Sequence, residues 1–141
     1  MCEHKWEWVP GLRVGPVAFG SEIDGYRTTL NLRLLEPEGA DETGWGTYSF
    51  DNEDKTIWTE NGKVICVRCD DYFGFKGVNL IGLAREELIA QMGAKPDEIG
   101  LSVEFEDGSI LTPFEYFDLS LEIWIEEGAV VHASATAIFM E

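Results

Sequence analysis

The chain has 141 residues, of which 45% are hydrophobic and 12% aromatic, and 27 acids against 10 bases give it a formal net charge of −17. This length and apolar content predict a single folded domain, 1–141, and exclude an intrinsically disordered chain. The acidic excess argues against direct nucleic-acid binding and against docking on anionic membranes, because both need a basic surface. No apolar run approaches the ~20 residues of a membrane helix, and the first residues lack the apolar stretch of a signal peptide.

In the first half of the chain, a short helix is predicted to begin at Ser21, a residue typical of N-terminal caps, and to be broken by Gly25. Alternating apolar residues then predict strands at 29–35, 46–51, 55–60 and 63–69. The stretch 36–44, rich in glycine and acids, is typical of an exposed loop.

The second half contains the clearest helix pattern, over 84–92, with Gly93 as its C-cap. Strands are predicted at 101–106, 109–112, 114–119, 121–126 and 129–139. Strand content therefore far exceeds helix content. The sequence predicts an α+β fold, in which an antiparallel sheet is packed by one or two short helices.

The two halves are similar to each other at an offset of 66 residues. Residues 56–65 and 122–131 share the pattern Ile-Trp-x-Glu-x-Gly-x-Val, and the same offset aligns Tyr48 with Phe114. This similarity predicts a tandem duplication of a helix-plus-hairpin unit, at about 11–69 and 77–135. Chance is the alternative for the front part of each unit, where few residues are identical.

Each similar segment predicts a β-hairpin with a two-residue turn, Asn61-Gly62 in the first and Glu127-Gly128 in the second. In the second hairpin, period-two alternation predicts a single apolar core face. That face consists of Leu121, Ile123, Ile125 and Val130.

The tryptophans of the two hairpins are predicted on the opposite, more acidic face. A two-residue turn places Trp58 opposite Ile65, and it gives Trp124 the equivalent position in its own hairpin. Glu122 and Glu126 flank Trp124 on that face. Either another element covers each indole, or the indoles are aromatic anchors of a protein interface.

The chain has three cysteines, Cys2, Cys66 and Cys69. A low and odd number of cysteines does not suit a disulfide framework, which favours a reducing, cytoplasmic compartment. Cys66 and Cys69 have C-x-x-C spacing, and Cys2 with His4 could complete a zinc site. However, residues three apart on a strand point to opposite faces. No metal and no cofactor are therefore predicted, and His132, in an apolar strand, is interpreted as a core residue.

No motif of nucleophilic, phosphate-binding, zinc-protease or dinucleotide chemistry occurs in the sequence. The run that begins at Asp51 suggests a calcium loop, but its sixth position is Thr56 and its twelfth is Gly62, where the loop needs a glycine and a carboxylate. The chain is therefore not predicted to be an enzyme, and no catalytic residue is assigned.

Charge is distributed unevenly along the chain. Residues 96–141 contain eleven acids and no lysine or arginine, whereas residues 1–95 contain sixteen acids and ten bases. Such an arrangement suits a cationic partner, because complementary charge accelerates encounter and selects partners. General solubility and an acidic, salt-adapted proteome are the alternatives.

Residues 11–23 contain Gly15-Pro16 and the turn Phe19-Gly20-Ser21 before the predicted helix. This segment resembles small bacterial immunity proteins of polymorphic-toxin and contact-dependent inhibition systems, in which a strand ending in an acidic-Gly hairpin follows. The resemblance implies a basic toxin domain, commonly a nuclease, as the partner, and occlusion rather than catalysis as the mechanism. The tandem layout is also similar to proteinaceous inhibitors of the β-lactamase-inhibitor type.

The leading hypothesis is an immunity protein that binds and neutralises a cognate cationic toxin domain, a nuclease, by steric and electrostatic occlusion. The alternatives are a nucleic-acid-mimicking inhibitor of DNA-binding proteins, a protein-binding subunit of a larger complex, and an enzyme that uses a carboxylate pair. Contact with the partner is assigned to carboxylates that would pair with its lysines and arginines and to aromatic anchors. These residues are Trp58, Glu60, Asp70, Asp71, Tyr72, Glu104, Glu106, Asp107, Glu122, Trp124 and Glu126.

Overall fold

The first half of the chain forms a small three-stranded sheet, a short helix and a four-stranded antiparallel meander in the computed structural model, which describes residues 6–39, 44–50 and 55–137. Its elements are β1 (Trp8–Val9), β2 (Arg13–Val14), β3 (Val17–Ala18), α1 (Asp24–Arg27), β4 (Leu32–Glu36), β5 (Gly46–Phe50), β6 (Lys55–Glu60) and β7 (Lys63–Cys69). The predicted strands 55–60 and 63–69 are confirmed to the residue. The strand predicted at 29–35 lies at 32–36, and residue 51 of the strand predicted at 46–51 is outside the described residues.

The second half has a similar order of elements, with a two-stranded hairpin in place of the three-stranded sheet and five strands in place of four. Its elements are β8 (Gly74–Phe75), β9 (Val78–Asn79), α2 (Arg85–Met92), β10 (Glu98–Ile99), β11 (Val103–Glu104), β12 (Ile110–Tyr116), β13 (Leu121–Glu126) and β14 (Ala129–Thr136). The strand 121–126 and the helix with its left-handed Gly93 cap (φ 77°) are confirmed. Residues 138–139 of the last predicted strand lie outside the described residues.

The two meanders join edge to edge into one nine-stranded antiparallel sheet, in the order β10-β12-β13-β14-β7-β6-β5-β4, with β11 also paired to β12. β14 and β7 form the joint, along which Ala133 pairs with Cys69 and Thr136 with Cys66. The predicted antiparallel sheet with one or two short helices is therefore confirmed, with two helices present. The first helix was predicted to begin at Ser21 and to break at Gly25, but it spans Asp24–Arg27 and includes Gly25.

A strand break predicted at Pro113 is wrong, because β12 continues through this residue. The Pro113 carbonyl accepts a hydrogen bond from the Gly100 N–H at 2.9 Å, on the side where β10 and β11 separate. The missing proline N–H therefore faces this side and removes no hydrogen bond between β12 and β13. A sheet tolerates proline where its nitrogen points away from the paired strand. Residues 117–119 turn into a 3₁₀ helix instead of extending the predicted strand 114–119.

The tryptophan pairings predicted in the two hairpins are also wrong, since each hairpin contains a β-bulge. Trp58 pairs with Cys66, and Trp124 pairs with His132, each with a register shift at the next residue. The bulge leaves Ile65 as an extra residue after the tight turn, so the pairing moves by one. The face on which each tryptophan lies is unchanged, because the bulge is in the opposite strand.

One face of the sheet is covered by the small N-terminal sheet, the β8–β9 hairpin and the helices, and it holds the core. Trp8 packs between Phe73 and Phe75, with ring centroids 5.5 Å and 5.0 Å away, and Leu88 of α2 is fully buried. Each such buried side chain contributes about 1.5–3 kcal/mol. The core face predicted for the second hairpin is confirmed, because all of its members are buried: Leu121, Ile123, Ile125 and Val130.

Lys55 lies within this core although it carries a charge, with only 2% of its side chain exposed. Its Nζ donates to both carboxylate oxygens of Asp71, at 2.9 Å and 3.1 Å, and lies 4.9 Å from the centroid of the Trp6 ring. A buried ammonium needs such partners, because its desolvation is otherwise costly.

We expect Asp71→Asn to destabilise the fold by about 2 kcal/mol, the size of a charge-assisted hydrogen bond to a buried group. Urea unfolding at neutral pH measures the change. Asp118→Asn, at an exposed position of the 3₁₀ helix, is the control and should stay within about 0.5 kcal/mol of the wild type. Equal unfolding midpoints for both variants would contradict the assigned role of Asp71.

Candidate functional site

A cavity of about 510 Å³ lies over the centre of the sheet, on the face opposite the core. Its walls come from both meanders and from the loop after β11. The lining residues are Trp58, Arg68, Phe105, Asp107, Ser109, Leu111, Glu122, Trp124, His132 and Ser134. Cavities of this volume are in the range that binds small molecules or single side chains of a partner.

The aromatic part of the cavity consists of Trp58, Trp124 and Phe105. The two tryptophans come from the similar hairpins and are half-buried, as predicted for the acidic face. Phe105 packs against Trp124 in an edge-to-face arrangement, with ring centroids 6.5 Å apart and planes at 71°. Each indole is therefore partly covered and still borders the cavity.

Two carboxylates line the same cavity in fixed orientations. Glu122 Oε1 accepts a hydrogen bond from the Trp124 indole Nε1–H at 2.6 Å. Asp107 Oδ1 accepts bonds from the Ser109 hydroxyl at 2.6 Å and from the Ser109 backbone N–H at 2.9 Å. These two bonds from Ser109 hold the pKa of Asp107 below its usual value, so Asp107 is ionised at neutral pH.

A cluster of Arg68, Asp70 and His132 closes one side of the cavity. Arg68 donates to both Asp70 oxygens, from Nε at 2.8 Å and from Nη2 at 3.1 Å, and His132 Nδ1 lies 2.8 Å from Asp70 Oδ1. Burial would raise the pKa of Asp70, but the hydrogen bonds from His132 and Arg68 outweigh it and lower that pKa. Asp70 is thus an anion that offsets the Arg68 charge.

His132 is not the core residue that the sequence suggested, because its side chain lies on the cavity face and is 27% exposed. Asp70 and His132 resemble the first two members of a catalytic triad. Within the described residues, however, no hydroxyl group is hydrogen-bonded to the His132 ring.

The structure brings together some of the residues predicted to contact a partner. Trp58, Asp107, Glu122 and Trp124 line the cavity, and Asp70 binds two of its lining residues. They come from separate parts of the chain, so the sheet assembles them.

Other predicted contact residues lie away from the cavity. Asp71 binds Lys55 in the core, and Tyr72 packs against the core. Glu60 accepts a hydrogen bond from the Trp45 indole Nε1–H at 3.2 Å near the first hairpin turn. Glu126 lines a second cavity of about 430 Å³ at the other hairpin turn.

Glu104 and Glu106 are exposed on an edge of the sheet formed by residues 98–110, which we call the acidic edge. Large apolar side chains are also exposed along it, and the most exposed is Leu101, at 90%. The others are Ile99, Val103, Phe105 and Ile110. Contiguous exposed apolar side chains with a polar rim are typical of protein interaction sites.

The two cysteines of the C-x-x-C motif point to opposite faces. Cys66 pairs with Trp58 on the cavity face, whereas Cys69 lies in the core. Burial raises the pKa of the Cys66 thiol to about 11, so it is protonated at neutral pH. Cys2 and His4 lie outside the described residues, within which no group of three or more metal-ligating side chains occurs.

Sequence reasoning missed several cavity residues, above all Arg68, Phe105 and Leu111. The position of Arg68 two residues before Asp70, the residue that follows β7, was a usable signal, because alternate residues of an extended chain share a face. Phe105 lies between two glutamates, and a large apolar side chain in such an acidic segment could have indicated a binding residue. Nothing in the sequence indicated that Leu111 would line the same cavity as Trp124.

Comparison with protein-family models, with curated proteins and with solved structures found no match. Within the part of the chain that the structure describes, no helix is long and apolar enough to cross a membrane. The site is therefore interpreted from its own geometry.

We expect Asp70→Asn to destabilise the fold by about 1–2 kcal/mol at pH 7, since it removes the charge from the bonds to Arg68 and His132. Folding lowers the Asp70 pKa, so ionised Asp70 stabilises the fold above its unfolded pKa of about 3.9. That contribution is lost as the pH falls through the folded-state pKa. Urea unfolding at pH 7 and at pH 3 should show a smaller difference between variant and wild type at pH 3. A difference independent of pH would contradict this assignment.

Proposed function

We propose that the protein binds a cationic protein partner through the acidic edge and the adjoining cavity, and neutralises it by occlusion. The observation that carries this proposal is the position of Phe105. Its side chain is 45% exposed on the acidic edge and also lines the aromatic cavity against Trp124. The exposed apolar edge and the cavity are thus one continuous surface.

This surface has the two components that a specific protein interface needs. The exposed apolar side chains, such as Leu101 and Ile110, supply area that leaves water on binding. Glu98, Glu104 and Glu106 are exposed among them and supply electrostatic attraction. Because the whole chain carries a formal charge of −17, a basic partner would be steered to it over long range at low salt.

The class of partner follows from the resemblance to immunity proteins of polymorphic toxin systems. A nuclease toxin holds phosphate with lysines and arginines, and the carboxylates of the acidic edge would pair with those side chains. The toxin could then no longer engage its substrate, and the immunity protein itself would need no catalytic residue. A cytoplasmic location, as predicted from the cysteine content, belongs to the same proposal.

The predicted tandem duplication is also part of this proposal, and matched geometry in the two halves supports it. The Gly20 N–H donates to the Val64 carbonyl at 2.8 Å, and the Gly82 N–H donates to the Val130 carbonyl at the same distance, with the two acceptors 66 residues apart and the two donors 62. The register shift after Trp58 also has its counterpart 66 residues later. A duplicated unit would explain why each tryptophan reaches the same cavity.

The test begins with pull-downs from the native cell extract, with tagged wild type and the double variant Glu104→Lys/Glu106→Lys as baits. We expect the wild type to retain one small basic domain that the double variant loses. Glu86→Lys/Asp118→Lys, at exposed positions of α2 and of the 3₁₀ helix, is the charge-matched control and should retain it. With the purified partner, the double variant should associate at least tenfold more slowly at low salt, and the difference should shrink at high salt.

Two outcomes would contradict the proposal. If the wild type and the double variant recover the same proteins, and the purified partner associates with both at equal rates, the acidic edge is not the interface. If many DNA-binding proteins are recovered, and both salt and duplex DNA release them, the nucleic-acid mimic is the better hypothesis.

The apolar part of the interface can be tested separately. We expect Leu101→Ser to leave the unfolding free energy within about 0.5 kcal/mol of the wild type, because Leu101 is 90% exposed. Affinity for the purified partner should fall about tenfold, since the buried area of one leucine is lost. Leu12→Ser, at an exposed leucine of the small N-terminal sheet, is the control and should bind normally. Equal affinities of the two variants would remove Leu101 from the interface.

A further inference from the structure

The cavity has aromatic walls of the kind that attract a cation. Trp58, Trp124 and Phe105 line it from three separate elements. The face of an aromatic ring carries negative electrostatic potential, and indole attracts cations most strongly. The Trp124 N–H is already bonded to Glu122 at 2.6 Å, so the ring is held in place before any ligand arrives.

The charges at the cavity also favour a cationic ligand. Arg68 is the one lysine or arginine among the described lining residues, and the bidentate contact with Asp70 offsets its charge. Glu122 and Asp107 remain as carboxylates, and their described partners are the neutral groups of Trp124 and Ser109. The cavity therefore has an excess of negative charge next to its aromatic rings.

The volume and the lining of the cavity suit an arginine side chain. Its volume of about 510 Å³ exceeds what one side chain needs. A planar guanidinium stacks on an indole and bonds a carboxylate with two parallel N–H groups, which an ammonium group does not. Leu111, buried at the cavity wall, offers an apolar contact for the methylene stem.

We infer that this cavity is a receptor for an arginine side chain, held between Trp58 and Trp124 and paired with Glu122. The inference deepens the proposed function and rests on it, because the arginine would belong to the cationic partner. The acidic edge would then provide attraction and area, while the cavity would provide selection for one residue of the partner.

The test uses a small probe in place of the partner, Nα-acetyl-arginine methylamide, with the citrulline analogue as its uncharged isostere. The readout is the set of indole ¹H–¹⁵N NMR signals of the five tryptophans, assigned by single Trp→Phe variants. The arginine probe should shift the signals of Trp58 and Trp124 with a Kd on the order of millimolar and leave those of Trp6, Trp8 and Trp45 in place. The citrulline analogue should bind at least fivefold more weakly, and the lysine analogue should lie between the two.

Glu122→Gln should weaken binding of the arginine probe at least fivefold, whereas Glu86→Gln should leave it unchanged. Unchanged shifts at Trp6 and Trp8, which lie in the core, show that both variants are folded. Equal binding of arginine and citrulline probes, shifts outside the cavity, or no shift at 50 mM probe would overturn the inference.

These results also separate the inference from the proposed function. If the probe binds in the cavity but the edge variants retain every partner, the arginine receptor is supported and the proposed interface is contradicted. If the edge variants lose a basic partner but the probe does not bind, the interface is supported and the arginine receptor is overturned.

Discussion

The pairing of β14 with β7 is the contact on which the rest of the structure depends. Ala133 and Ala135 are fully buried there, opposite Cys69 and Val67. Small side chains on the joint let the last strand of each meander lie at the centre of one continuous sheet. Both faces of that centre are therefore built by both halves of the chain. One face gains a core larger than either meander could bury alone, and the other gains a cavity whose two tryptophans come from different hairpins.

An element of the fold can be predicted from the sequence when its own residues determine it, and not when it depends on residues of a neighbouring strand. The strands around Asn61-Gly62 were placed to the residue, because a tight turn and alternating side chains are local signals. The two-residue strands β1 to β3, β8 and β9 were missed, since two residues are too few to show a period. The bulge at Ile65 and the continuation of β12 through Pro113 depend on a neighbouring strand, and no local pattern reveals a neighbour.

The candidate site was predictable only in part, for the same reason. Alternation placed Trp58 and Trp124 on the acidic face of their strands, and the structure keeps them there. Their convergence in one cavity follows from the β7–β14 joint, which has no signature in either strand alone. The contact of His132 with Asp70 spans 62 residues and forms across that joint. A lone histidine in an apolar strand therefore looked like a core residue until its neighbouring strand was known.

Paired charges and exposed carboxylates lie in different parts of the sheet. Two of the bases are paired with neighbouring carboxylates, Lys55 with Asp71 beneath the sheet and Arg68 with Asp70 beside the cavity. The carboxylates of the acidic edge are instead exposed. An exposed edge strand with apolar side chains tends to pair with other chains. Two copies of a chain with a charge of −17 repel each other, so the carboxylates disfavour self-association while a basic surface remains attracted. The same charges that attract a cationic partner in the proposed function would thus also disfavour pairing of this edge with itself.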